Sequence, residues 1–182
     1  LTIMPEIEIR PAIATDIQAL MSLEHNYSSD HVWQMDFRHD GSETKITFRE
    51  TRLPRSVQVR YPHNPKILAD DWSSRDGLLV ALAEDKAIGY ISLEQNSQLK
   101  ATRITDLAIT MYLRRQKIGS LLIMTAQDWA RRHHSQRLIL ELQPKNYPAI
   151  QMARKLGFDL CGYNDHYFAN LDIAIFFSKW LK

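Results

Sequence analysis

The 182-residue sequence predicts an α/β (α+β) domain: a mixed central sheet of about six or seven strands with helices on both faces. Three observations carry that expectation. From residue 78 onward, strand-like and helix-like apolar periods alternate, the pattern of a sheet with crossover helices. Two apolar runs at 78–93, separated by a short polar turn, read as a β-hairpin. No internal repeat, low-complexity tract or Gly/Ser linker interrupts the chain, so residues 1–182 are read as one domain.

Glu6 to Arg10 alternates apolar and polar residues and reads as a short strand that Pro11 ends. Thr15 or Asp16 can cap a helix through Ile17, Leu20, Met21 and Leu23. A second short helix or turn is expected around His31 to Phe37. Ile46–Phe48 and Val57–Tyr61 look like strands around a Leu53-Pro54-Arg55 turn, in a segment carrying five arginines from Arg38 to Arg60. It reads either as an acceptor-side lobe or as a solvated hairpin. Leu78–Ala83 and Ile88–Leu93 form the hairpin around Glu84-Asp85-Lys86. Arg103–Thr110 is a strand, and a helix follows from about Lys117 to Arg132 with Ile118, Leu121, Leu122, Thr125 and Trp129 at helical spacing. Leu138–Leu142 is a buried strand. Pro148 suits the first turn of another helix, which stops at Gly157. Phe158–Cys161 and Ile173–Trp180 supply the last two strands.

Composition excludes several classes. A net charge of +2 with scattered Lys and Arg argues against nucleic acid. No apolar run approaches the roughly 20 residues of a membrane helix, and the N-terminal residues lack a signal-peptide layout. One cysteine, Cys161, cannot form an internal disulfide, and this predicts a cytoplasmic protein. The seven histidines show no ligand spacing, so no metal is expected. G-x-S-x-G, Walker A and post-strand G-x-G-x-x-G motifs are missing.

The informative stretch runs from Asp106-Leu107-Ala108-Ile109 to Arg114-Arg115-Gln116-Lys117-Ile118-Gly119-Ser120. A strand enters a tight basic turn that opens a helix. Successive N–H groups there, with the positive end of the helix, form an anion cradle. Gly119 would let the backbone approach a phosphate, and Arg114 and Arg115 add charged donors. The anion this suits is the pyrophosphate of a nucleotide-like cofactor.

The turn resembles the Arg/Gln-x-x-Gly-x-Gly/Ala motif of the GNAT N-acetyltransferases, with Lys117 in place of the first glycine. The run Leu140-Glu141-Leu142, Asn146-Tyr147-Pro148-Ala149-Ile150 and Leu156-Gly157-Phe158 resembles that family's second block. The resemblance implies acetyl-CoA bound in a V-shaped splay between strands 4 and 5 of the sheet. It assigns the pantetheine arm to Leu107, Ala108, Ile109 and Asn146. A base to deprotonate the amine would be Glu141, or Asp106 on the neighbouring strand; either could instead be a strand-end carboxylate paired with Arg103 or Arg137. Ala153 stands where much of the family has an acid tyrosine, so the thiolate leaves unassisted or is met by Tyr163 or Tyr167. More loosely, Thr105–Ile109 and the tail resemble streptothricin acetyltransferases, while Glu141 sits like the base of ribosomal-protein N-terminal acetyltransferases.

Asp70, Asp71, Asp106, Glu141, Asp165 and Asp172 crowd the acceptor end, which predicts a small cationic amine, unless these residues only cap turns. The rival readings are a protein N-terminal or lysine acetyltransferase and a non-catalytic CoA-binding regulatory module. A homodimer stays open.

Overall fold

The computed structural model describes residues 6–182. Seven strands form one sheet in the order β1-β4-β5-β6-β7-β9-β8. They are β1 (Ile7–Pro11), β4 (Gly77–Ala83), β5 (Lys86–Asn96), β6 (Ala101–Ile109), β7 (Arg137–Leu142), β8 (Asp159–Asn164) and β9 (Ala174–Trp180). Every pair is antiparallel except β6–β7, which needs a crossover, supplied by α3 (Ile118–Arg132). A separate two-stranded ribbon joins β2 (Tyr27–Asp40) to β3 (Glu43–Val59).

The alternation read in the sequence becomes two cores on opposite faces. Leu138, Leu140 and Leu142 of β7 face α3 and α4 (Tyr147–Lys155), packing with Ile118, Leu122, Ile123, Ala126, Ile150 and Ala153. Leu78, Val80, Leu82, Tyr90 and Ala108 face α1 (Ile17–Met21) and α2 (Leu68–Asp71). The buried stripe of α3 is rotated from the expected one: Ala126 and Ala130 are inside, while Leu121 is 39% exposed. Small residues let the helix lie close to the sheet.

Residues 31–40 are strand, not helix. Met35 opposes Phe48 and Phe37 opposes Ile46, so cross-strand pairs outweigh the local helical reading. The Leu53-Pro54-Arg55 stretch is no hairpin turn either: the chain reverses between Asp40 and Glu43, where Gly41 takes φ +56°. Leu53 to Ser56 instead form a bulge, because Val57 pairs with Ser29 and Arg52 already pairs with His31. A two-stranded ribbon has free edges, where Pro54 costs no ladder bond. The ribbon is pinned to the sheet by Trp33, whose backbone N–H donates to the Pro144 carbonyl at 2.9 Å and whose ring packs on Phe177. The helical turn at 65–71 was not expected, though Asn64 and Pro65 signal its start: the Asn64 carboxamide accepts the Lys66 N–H at 3.1 Å.

Candidate active site

The sheet splays where β6 and β7 part. Parallel pairing ends at Ile104–Leu140, and the rest of β6 pairs with β5 alone. Two residues before the expected free stretch, Thr105 forms a β-bulge: Ser92 opposes Asp106 while Leu93 opposes Ile104. An extra residue inverts every side chain after it. Ile104 therefore faces the α3 core, whereas Asp106 and Ala108 point to the opposite face. Glu141 alternates with Leu140 and Leu142 and shares that opposite face. The bulge thus brings the two carboxylates to one side of the sheet.

His63, just before the 65–71 helical turn, bridges them. Its Nδ1 lies 2.8 Å from Asp106 Oδ1 and its Nε2 lies 3.5 Å from Glu141 Oε1. Asp106 also accepts from the Tyr61 hydroxyl, from Arg75 Nη1 at 3.1 Å and from Thr105 at 3.2 Å. Burial pushes the Asp106 carboxyl up, but His63, Tyr61 and Arg75 outweigh it and hold the group at about 2. The hydrogen bond to Asp106, then the one to Glu141, raise the His63 imidazole to about 9. Glu141, its side chain only 3% exposed, accepts the Tyr167 hydroxyl at 2.9 Å and lies 3.5 Å from Arg103 Nε. Arg103 also donates to the Tyr167 oxygen at 2.9 Å and pairs with Glu94.

Each carboxylate therefore has an arginine partner, Arg75 for Asp106 and Arg103 for Glu141. Arg137 instead stacks over Trp180. His63, Tyr61 and Arg75 escaped the sequence reading because their partners lie on distant strands. A lone histidine beside no motif carries no spacing signal.

A cavity of about 690 Å³ opens on this face between the 62–76 segment, β5, β6 and the loop before β9. Its wall carries Asp71, Asp76, Glu94, Asp106 and Glu141 against Arg75, Arg103 and His63: five carboxylates, two arginines and one imidazolium, a net −2. Asp70, Asp165 and Asp172 do not line it, so half of the acidic set read from sequence lies elsewhere. Asp172, for example, binds Gln143 at 3.1 Å. A second, narrower cavity follows the splay, lined by Leu107, Leu140, Asn146 and Ala149, and the two meet at His63, Asp106 and Glu141.

On the other side of the splay, β6 runs into the basic turn. The first backbone bond of α3 is from Leu121 N–H to the Lys117 carbonyl, so the N–H groups of Ile118, Gly119 and Ser120 precede the helical ladder. Lys117 takes φ +67° and Arg115 φ +65°, the left-handed conformation that suits glycine. Lys117 thus keeps the shape of the turn at a local cost of about 1–2 kcal/mol. The lysine that replaces the motif's first glycine therefore adopts the glycine-type backbone there. Arg115 and Lys117 are exposed, and the Gln116 amide donates to the Tyr112 carbonyl at 3.3 Å.

Arg114 is committed elsewhere. Its guanidinium donates to the carbonyls of Ile109 at 2.9 Å, Asn26 at 2.8 Å and Glu24, tying the loop after α1 to the turn. Gly119 serves packing: an added Cβ would lie 2.9 Å from Met152 Sδ and 3.1 Å from Ile109 Cδ1. Gly119→Val should cost about 1–3 kcal/mol of stability by overpacking. A thermal midpoint equal to wild type would contradict this. Asn146 caps α4, accepting the Ala149 N–H at 3.2 Å, and still faces the splay.

Of the two tyrosines, only Tyr167 reaches the site. Burial, then Glu141, lift its hydroxyl to about 12. Tyr163 lies on β8, packs edge-on against Phe48 and lines neither cavity. Ala153 is fully buried in the α3–α4 core.

The ion pairs fix the sign of one stability effect. His63 is raised in the folded state, so its contribution is complete below about 6.5 and is lost as pH rises through about 9. The thermal midpoint should fall over that window in wild type and stay flatter in His63→Gln. Parallel curves would show that His63 adds nothing.

Comparison with known proteins identifies the family and the fold. The acetyltransferase (GNAT) family model matches residues 45–158. A streptothricin acetyltransferase of Streptomyces lavendulae is 27% identical over 161 residues, covering 85% of this chain and 82% of that protein. The crystal structure of nourseothricin acetyltransferase superposes with a TM-score of 0.82 at 22% identity, covering 97% of this chain and 99% of that one. A putative streptothricin acetyltransferase from Bacillus anthracis, solved in complex with acetyl coenzyme A, gives a TM-score of 0.76 at 20% identity, covering 96% and 99%. Among the described residues, no helix is long and apolar enough to cross a membrane.

Proposed function

The chain belongs to the GNAT acetyltransferase family, and from that premise we propose that it moves the acetyl group of acetyl-CoA to the primary amine of a small cationic acceptor. The observation that carries this reading is the meeting of two cavities at Glu141 and His63, one in the splay and one with a net negative wall. The free edge of Leu107, Ala108 and Ile109 fits the pantetheine arm, which needs unpaired backbone groups. The N–H groups of Gln116 to Ser120 fit the pyrophosphate, with Arg115 and Lys117 beside them. Asn146 offers its amide N–H to the arm.

The acceptor enters as an ammonium, and a lysine-type amine at pKa ~10.4 is only about one part in 10³ neutral near pH 7.4. Glu141, with Oε2 held by Tyr167 and Oε1 turned to the shared space, takes that proton. Asp106 is the weaker base, because every donor around it favours its charged form. The exposed lone cysteine accords with a reducing cytoplasm.

Arg115→Ala should weaken CoA binding by about 1 kcal/mol, the scale of an ordinary hydrogen bond, because the exposed site leaves the charge screened by water. Arg114→Ala should instead loosen the 24–26 loop. Calorimetric titration and amide exchange separate the two; unchanged CoA affinity in Arg115→Ala with Lys117→Ala would remove the turn from the cofactor site.

The acceptor is tested by salt. Steering by a negative cleft makes KM for a polyamine or aminoglycoside rise between about 20 and 300 mM salt. A flat KM, or an anionic amine as the best substrate, would refute the cationic acceptor.

A further inference from the structure

His63 has no place in the chemistry assigned so far, yet among the described residues it is the one side chain that touches both carboxylates and lines both cavities. The geometry points to His63 as the proton donor to the departing CoA thiolate, the role left vacant where Ala153 stands. This rests on the acetyltransferase reading above and deepens it.

The two ring nitrogens are unequal. Nδ1–H is held by Asp106 at 2.8 Å, in a group that is itself fixed by Tyr61 and Arg75. Nε2 faces Glu141 at 3.5 Å, too long for a strong hydrogen bond, so its proton is the mobile one. Phe168 covers the ring edge-on, limiting its rotation. Around the imidazole stand Asp106 from β6, Glu141 from β7, Arg75 from the turn before β4, and Tyr61 with Tyr90 behind it. The carboxylates keep the ring cationic near neutrality; a donor at about 9 is matched to a thiol leaving group near 8.5.

Tyr167 is the poorer donor. Its hydroxyl already donates to Glu141, and burial with that carboxylate raises it to about 12.

The neutral amine forms the C–N bond to the thioester carbonyl, after Glu141 has taken the first ammonium proton. As the C–S bond breaks, its electron pair goes to sulfur, and Nε2–H transfers to the thiolate to give the free thiol. The N-protonated amide then returns a proton to Nε2, restoring the imidazolium. Glu141 releases its proton to solvent. Acetyl-CoA and the amine become the amide and CoA, with no further reactant.

The experiment uses the full chain with its best amine. His63→Gln keeps the size and one hydrogen bond to Asp106 while removing the transferable proton. Its kcat should fall by about 10²–10³ while CoA affinity by calorimetry stays within a few fold. Two readouts separate proton donation from a structural role. Wild-type kcat should decline as pH rises through about 9, and His63→Gln should lack that limb. An acetyl thioester with a more acidic thiol should recover much of the loss in His63→Gln and gain little in wild type.

A His63→Gln enzyme with wild-type kcat and an unchanged alkaline limb would overturn the assignment, as would an equal loss with both thioesters. A wild-type chain that releases no thiol with any amine would overturn the acetyltransferase reading itself, and the His63 role with it.

Discussion

Glu141→Gln should lower kcat/KM by about 10²–10⁴ at neutral pH, the range for loss of a general base. The amide is isosteric, and it can still accept from Tyr167 and lie against Arg103, so the fold should hold. What it cannot do is accept the proton of an entering ammonium. The deficit should therefore shrink as pH rises toward the amine's own pKa, because solvent then removes the proton beforehand. Steady-state kinetics from about pH 6.5 to 9 measures this. Wild-type activity in Glu141→Gln across that range would leave catalysis to positioning alone.

Asp106→Asn should act first on stability. Asp106 is 8% exposed and serves Arg75, His63, Tyr61 and Thr105 at once. Removing one partner of a buried ionic cluster strands the others and costs about 3–5 kcal/mol, or a fall of roughly 10 °C in thermal midpoint for a chain of this size. The carboxyl is depressed to about 2, so its contribution is present above about 3.8 and lost as pH falls through about 2. The difference between wild type and Asp106→Asn should thus be steady near neutrality and vanish in acid. Activity should fall less than in Glu141→Gln at equal folded fraction. A variant that melts like wild type but loses all activity would make Asp106 the base after all.

The sheet was legible because its strands obey a period of two and are separated by helices of period 3.6. The tight turn that opens α3 was legible because a strand, a basic loop and a helix start follow one another within a few residues. What depended on pairing was not. A single extra residue at Thr105 decides which face Asp106 occupies, and only the register against β5 reveals it. His63 and Arg75 reach the site from a segment that carries no motif. The contact of Gly119 with Met152 was hidden as well, since a glycine's neighbour across the helix lies outside any local window. Residues 31–37 read as helical until Phe48 and Ile46 are set opposite them.

The decisive assay is acetyl transfer: purified chain with acetyl-CoA and streptothricin, a polyamine or an aminoglycoside, followed by product mass and free thiol together. One acetyl group on a primary amine, matched by one equivalent of thiol, is the predicted result. Tight CoA binding with no acetylated amine from any member of that panel would contradict it.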